Sequence, residues 1–165
     1  MEWISYTAIT LISIIAMGMD LKDDRISNKW LLFGFFLALE LRFAKATAWF
    51  SNIDGGIEIW KLGLSGVGNA LRCCVVIFIL LFPLFCIKGL GGGDIKLLCV
   101  LAMFLPGQEF NLVLGSFLIG GVLAVIKLIV DRWKGIHGNK KTIHFSIAIA
   151  MATFIICISN NGKFG

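Results

Sequence analysis

Charged side chains are scarce in this sequence. Only 15% of its 165 residues are Asp, Glu, Lys or Arg, whereas 58% are hydrophobic and the mean hydropathy is +0.91. Soluble domains carry about 25% charged residues. A water-soluble chain of this length cannot hide so much apolar surface, so the composition excludes an ordinary soluble protein and indicates lipid as the solvent. We therefore predict an all-α, polytopic membrane protein that forms a single domain over residues 1–165.

Residues that bind metals are also few. The chain has two histidines, and its five cysteines form no C-x-x-C pair and lie in or beside apolar runs. This pattern argues against zinc and favours small hydrophobic side chains, so we predict no metal and no cofactor. No basic residue precedes the first apolar run, which we expect to be retained as a span rather than cleaved as a signal peptide.

Six apolar segments predict about six transmembrane helices, each of which needs about 20 residues. The fourth segment is too short alone and is ended by Pro106, so it spans only if its helix begins near Asp94 or the bilayer thins. Arg72 in the third is hard to place, and residues 51–61 are expected to form a loop. The segments are Trp3 to Met19, Trp30 to about Phe50, Leu62 to Ile87, Ile95 to about Leu105, Phe110 to Val130 and about Ile143 to Ser159.

The net charge of +5 fits basic residues that flank membrane spans, and no nucleic-acid motif accompanies it. If the N-terminus faces outward, ten of the fifteen Lys and Arg residues fall in the first, third and fifth connections. The positive-inside rule then predicts that both termini are outside, with membrane lipid as a partner of the basic connections and no nucleic acid. The ten are Lys22, Arg25, Lys29, Lys88, Lys96, Lys127, Arg132, Lys134, Lys140 and Lys141.

Two aspartates meet the same cytoplasmic edge in this topology. Asp20 closes the first span and Asp94 opens the fourth. Acids beside a span are costly and indicate a functional site, but Asp is also a good helix N-cap. Capping explains Asp94, which precedes a predicted helix, and not Asp20, which follows one and meets the unfavourable end of the helix dipole. On the residues alone, function and capping both stay open.

Paired carboxylates suit peptide hydrolysis. Two carboxyl groups a few ångströms apart share a proton, so one can activate water while the other polarises a carbonyl and protonates the leaving amine. A peptide must approach them closely. Gly91, Gly92 and Gly93 precede Asp94 and offer that access, because glycine has no Cβ and tolerates a positive φ.

The sequence resembles the type IV prepilin peptidase family, which belongs to the G-x-G-D membrane aspartic peptidases. The "GGGDIKLL" stretch that contains Asp94 matches that signature and its G-D-x-K-L extension. "DLKDDRISN" places Ile26 and Asn28 after Asp20 as in the family's D-x5-I-P-N pattern, and "TIHFSIAIA" resembles its last conserved stretch. Ser27 stands where the family has proline. His144 also replaces a proline, and both changes loosen turns rather than remove chemistry.

The resemblance implies an aspartic endopeptidase that removes the basic leader of prepilins or pseudopilins at the cytoplasmic face of the cytoplasmic membrane. Asp20 and Asp94 would be its catalytic pair. Larger family members carry an N-methyltransferase function and an additional cytoplasmic domain, so this chain resembles a short, peptidase-only form. The resemblance leaves the substrate and the oligomeric state open.

Several supporting residues have alternative interpretations. Asp23 and Asp24 share a helix face with Asp20 if the helix continues, so spacing alone does not exclude them as catalytic; they could also receive the leader's positive charges. Lys96 should point away from Asp94, either towards the headgroups or to tune the acids. Asn28 could fix the loop through side-chain hydrogen bonds.

Two other functions remain compatible with these residues. A preflagellin or signal-peptide type of peptidase would also use paired aspartates. A small transporter subunit coupled to protons or cations would use intramembrane acids, but it predicts acids deeper in the bilayer and repeated halves, which the sequence lacks.

Overall fold

The structure, a computed structural model, describes residues 2–23, 25–48, 56–133 and 145–161, which contain six helices and no strand. This confirms the all-α prediction. The helices are α1 (Glu2–Asp23), α2 (Asn28–Ala48), α3 (Gly56–Cys86), α4 (Gly92–Phe104), α5 (Glu109–Trp133) and α6 (Phe145–Asn161).

Three helices are long and apolar enough to cross a membrane. They include Ile4–Asp23 of α1, Gly63–Cys86 of α3 and Glu109–Trp133 of α5, and the apolar Phe145–Ser159 of α6 is shorter. Only 22% of the α3 window and 17% of the α5 window are buried inside the protein. Their outward surface is therefore apolar, as expected of helices in lipid, and the chain is a membrane protein.

The third helix begins earlier than the sequence predicts. Residues 56–61 were expected in a loop, but α3 already begins at Gly56, because extending a helix from a long apolar segment costs little per residue. Arg72 lies inside the apolar part of α3, and its side chain is exposed. Residues 51–55 lie outside the described part of the chain.

The fourth helix is the centre of the bundle. α4 has 13 residues, every side chain from Leu97 to Phe104 is buried, and α4 contacts each of the other five helices. At about 1.5 Å per residue it covers about 20 Å, well short of a hydrocarbon core of about 30 Å. It is enclosed by protein, which permits a helix to end at membrane depth.

A side chain from α2 completes the C-terminal end of α4. The Arg42 guanidinium donates a hydrogen bond of 2.9 Å from Nε to the Met103 carbonyl and another from Nη2 to the Phe104 carbonyl. Beyond them Leu105 ends the helix and Pro106 prevents its continuation. The last carbonyls of a helix have no partner within it, so Arg42 supplies the donors that water provides in a soluble protein.

Candidate active site

The candidate site lies at the end of the bundle where α1 and α3 end and α2, α4 and α6 begin. A tight turn connects α3 to α4: the Gly89 N–H donates to the Leu84 carbonyl at 2.9 Å and the Lys88 N–H to the Phe85 carbonyl at 3.0 Å. Lys88 has a φ of 56°, which the left-handed residue of this helix-ending motif requires. The turn reverses the chain so that the glycine-rich stretch begins α4 beside the end of α1.

Asp20 lies in the last turns of α1 and is half-buried. The sequence predicted that it follows a helix, but α1 continues to Asp23, so Asp20 is part of the helix. The Ser146 hydroxyl, which is fully buried in the first turn of α6, donates a 2.5 Å hydrogen bond to Asp20 Oδ2. This bond joins the end of α1 to the start of α6 and fixes the orientation of the carboxylate.

Asp94 lies in the first turn of α4 and is half-buried. The suggestion that it caps this helix is wrong, because the helix begins at Gly92 and the N-cap is Gly91, without a side-chain cap. The Gly91 carbonyl instead accepts the Ile95 N–H at 3.2 Å. Asp94 is therefore inside the helix, where the dipole still favours a negative charge.

Gly91, the first of the three glycines, is explained by the close approach of the Asp94 carboxylate and not by a special backbone conformation. A Cβ on Gly91 would lie 3.0 Å from Asp94 Oδ2, so the bare backbone leaves room for the carboxylate. On Gly93 it would make only ordinary contacts with Ile26, the nearest at 3.7 Å. The expected use of positive φ is wrong: Gly91 has φ −71° and ψ 142°, and Gly107 is the glycine with positive φ in the described chain.

Asp20 and Asp94 line one cleft of about 310 Å³, although 74 residues separate them in sequence. This volume is at the lower end of the range of about 300–1,000 Å³ for ligand pockets. Below we call it the aspartate cleft. Its walls consist of Asp20, Arg25, Ile26, Asn28, Gly91, Gly92, Gly93, Asp94 and Lys96.

The two rival aspartates are placed differently. Asp23 is exposed at the end of α1 and is not among the residues that line the aspartate cleft. Asp24 lies outside the described residues. His144, named for its place in the family pattern, lies outside them as well. Of the described candidates for the first acid, Asp20 is the one that shares a cleft with Asp94.

Lys96 and Asn28 form a polar bridge at the edge of the cleft. Lys96 Nζ donates to Asn28 Oδ1 at 3.2 Å, which links the second turn of α4 to the first residue of α2. Lys96, which was expected to point away from Asp94, lines the same cleft as Asp94. Asn28 bonds to this lysine, whereas the sequence suggested a role in fixing the loop.

Two residues of this region were missed by the sequence reasoning. Ser146 belongs to the "TIHFSIAIA" stretch, but only its packing against α1 reveals its bond to Asp20. Arg25 lines the cleft next to the acids and was counted only as a topology signal. A hydroxyl in the first turn of an otherwise apolar span was the one available signal, since buried polar groups usually have a partner.

The cleft therefore combines two carboxylates, two cations and exposed glycine backbone at the boundary of an apolar bundle. Carboxylates can accept and return a proton, and bare backbone admits an extended peptide. Within the described residues, no group of three or more His, Cys, Asp or Glu side chains is arranged to hold a metal ion.

The chain matches a known protein family. The model of the type IV leader peptidase family matches residues 7–129, which is most of the chain and includes both cleft aspartates. No significant match was found among curated proteins or among solved structures.

Proposed function

The chain belongs to the type IV leader peptidase family, and on this basis we propose that it is an aspartic endopeptidase whose catalytic pair is Asp20 and Asp94. The substrates would be prepilins or pseudopilins, from which it removes the basic leader ahead of an apolar helix. The observation that carries this proposal is the aspartate cleft, which both acids line and Asp23 does not.

The proposed mechanism is general acid–base attack of water on the scissile peptide bond. One carboxylate takes a proton from water, whose oxygen bonds to the carbonyl carbon. The other, protonated, donates a hydrogen bond to the carbonyl oxygen. The C–N bond then breaks, and the leaving amine takes a proton from the pair, so that one water is consumed for each bond cut.

Neighbouring residues support the pair in this mechanism. Ser146 holds the Asp20 carboxylate through its 2.5 Å hydrogen bond. Gly91 leaves space against Asp94 Oδ2, so that a substrate strand can approach that carboxylate without a side chain in between. Preorganisation of this kind matters because small misplacements of a catalytic group lower rates strongly.

We also propose that the cleft faces the cytoplasm, with both termini outside. The described basic residues support this orientation because most of them belong to the end of the bundle that carries the cleft. Lys22, Arg25 and Lys29 flank the first connection, Lys88 and Lys96 flank the third, and Lys127 and Arg132 lie in the last turns of α5. The positive-inside rule assigns this end to the cytoplasm.

The deciding experiment mixes the purified protein with candidate prepilins and follows the mass of each substrate. The expected result is a loss equal to the leader, abolished by Asp20→Asn and by Asp94→Asn and retained by the matched Asp23→Asn. Processing by Asp20→Asn but not by Asp23→Asn or Asp24→Asn would show that the first acid is misassigned. Proton or cation flux in proteoliposomes without any cleavage would instead favour a transporter.

A further inference from the structure

A second cavity adjoins the aspartate cleft. It has a volume of about 430 Å³ and shares Asn28 and Lys96 with the cleft. Its remaining walls come from α2, α3 and α4, and below we call it the apolar groove. Six apolar side chains define it: Leu31, Leu32, Phe35, Val75, Phe78 and Val100.

The groove opens on the outer surface of the helix bundle. Leu32 is 57% exposed and Val75 is 54% exposed, whereas Val100 at the base is buried. From Asn28 to Phe35 the α2 wall runs for about 10 Å, which is about two helical turns. A helix lying in the membrane could therefore enter from the side, without passing through water.

We propose that this groove holds the apolar segment of the substrate that follows the scissile bond. This inference rests on the proposed function, in which a basic leader is cut from an apolar helix. The two cavities share the Asn28–Lys96 bridge as a common wall, so a chain whose scissile bond lies between Asp20 and Asp94 would cross this bridge to enter the groove.

The bridge suits this path. Where the substrate backbone leaves its helical conformation to be cut, its N–H and C=O groups need partners, and the Asn28 amide and the Lys96 ammonium offer both kinds of side-chain partner. Beyond the bridge the groove is lined by apolar side chains and by the thiols of Cys74 and Cys99. This apolar surface suits an apolar helix. The occupant is thus a polypeptide that is polar at one end and apolar beyond it, and a lipid is the rival occupant that the test must separate.

Cross-linking tests the occupant directly. A benzophenone amino acid at Leu32, in an Asp94→Asn background that leaves the substrate uncut, should capture a full-length prepilin within its apolar segment. The matched control is the same amino acid at Leu118 of α5, whose side chain is 63% exposed. No residue of α5 lines the groove. Cross-links from position 32 to lipid alone, or equal capture from both positions, would overturn the proposal.

Kinetics provide the second test. Val75→Arg should lower kcat/KM for the full-length prepilin by about 10-fold or more, the scale of losing an apolar contact, and lower it much less for a soluble peptide that ends soon after the scissile bond. Val122→Arg, at a 59% exposed valine on α5, is the matched control and should leave both rates unchanged. An equal loss on both substrates with Val75→Arg would contradict the groove. Failure of the unaltered enzyme to cut either one would overturn the proposed function and this inference with it.

Discussion

The two ends of α4 both carry polar groups, yet they are built differently. At its N-terminal end, Asp94 is half-buried and lines an open cleft with Asp20. At its C-terminal end, Arg42 donates to two backbone carbonyls in the protein interior, and Glu109 is 8% exposed, with an Oε2 atom that has no hydrogen-bond partner among the described residues.

Polar groups therefore have two different roles at the two ends of α4. Arg42 donates hydrogen bonds to carbonyls that lipid could not satisfy, so that end is closed. The aspartates keep an opening through which water and a substrate can reach them. We therefore expect changes at the N-terminal end to affect turnover and changes at the C-terminal end to affect stability.

The largest effect is expected from Asp94→Asn. Loss of a general acid or base lowers kcat by about 100-fold or more. Because Asn keeps the shape of the side chain and the site is half-exposed, the melting temperature in detergent should stay close to that of the unaltered protein. A parallel loss of melting temperature and activity would mean that both ends of α4 are structural.

The reverse result is expected from Arg42→Ala. The Met103 and Phe104 carbonyls lose their donors, and leaving such groups unsatisfied costs about 1–3 kcal/mol each. Unfolding in a denaturing detergent should occur at a lower concentration, and Arg42→Lys should recover only part of the stability because lysine cannot donate through a planar fork. Full stability of Arg42→Ala would show that α4 does not depend on this contact.

A third substitution tests whether catalysis needs a glycine at position 91, beside Asp94. In Gly91→Ala the new methyl group would lie 3.0 Å from Asp94 Oδ2 and would displace the carboxylate by a few tenths of an ångström. We expect a decrease of about 10-fold in kcat, since misplacement of a catalytic group is costly. Gly93→Ala is the matched control, because its methyl group would make only ordinary contacts, and its kcat should fall less. Equal decreases would indicate a general requirement for glycine in this stretch.

The smallest effect is expected from Ser146→Ala. Removing the donor to Asp20 Oδ2 should cost about 1.5–3 kcal/mol of stability, the usual scale for a hydrogen bond to a charged group, and lower kcat a few-fold. A double-mutant cycle with Asp20→Ala measures the coupling between the two side chains. Additive changes would show that Ser146 does not act through Asp20.

Local sequence patterns predicted the helices well and their ends less well. Long apolar runs predicted α1, α3 and α5, because hydrophobic length alone determines whether a helix can cross lipid. The starts of α3 and α4 were misplaced by several residues, since a helix extends into polar or glycine-containing sequence when its neighbours favour it.

The cleft was partly predictable for a related reason. Alternating spans place Asp20 and Asp94 at the same end of the bundle, and the family pattern selects Asp20 among its neighbours. The contacts of Ser146 and Arg42 were not predictable, because each joins residues far apart in sequence and depends on how helices pack. No periodicity in the chain encodes such a pairing.

The shortness of α4 also constrains how the protein is made. Thirteen residues are too few to be released from a translocon into lipid as an independent span, and the Arg42 contact that completes this helix comes from an earlier segment. We therefore expect α4 to enter the bundle together with neighbouring helices, once α2 can supply the Arg42 side chain. The first turn of α4 bears Asp94, so we expect the two carboxylates to meet only after these helices have assembled.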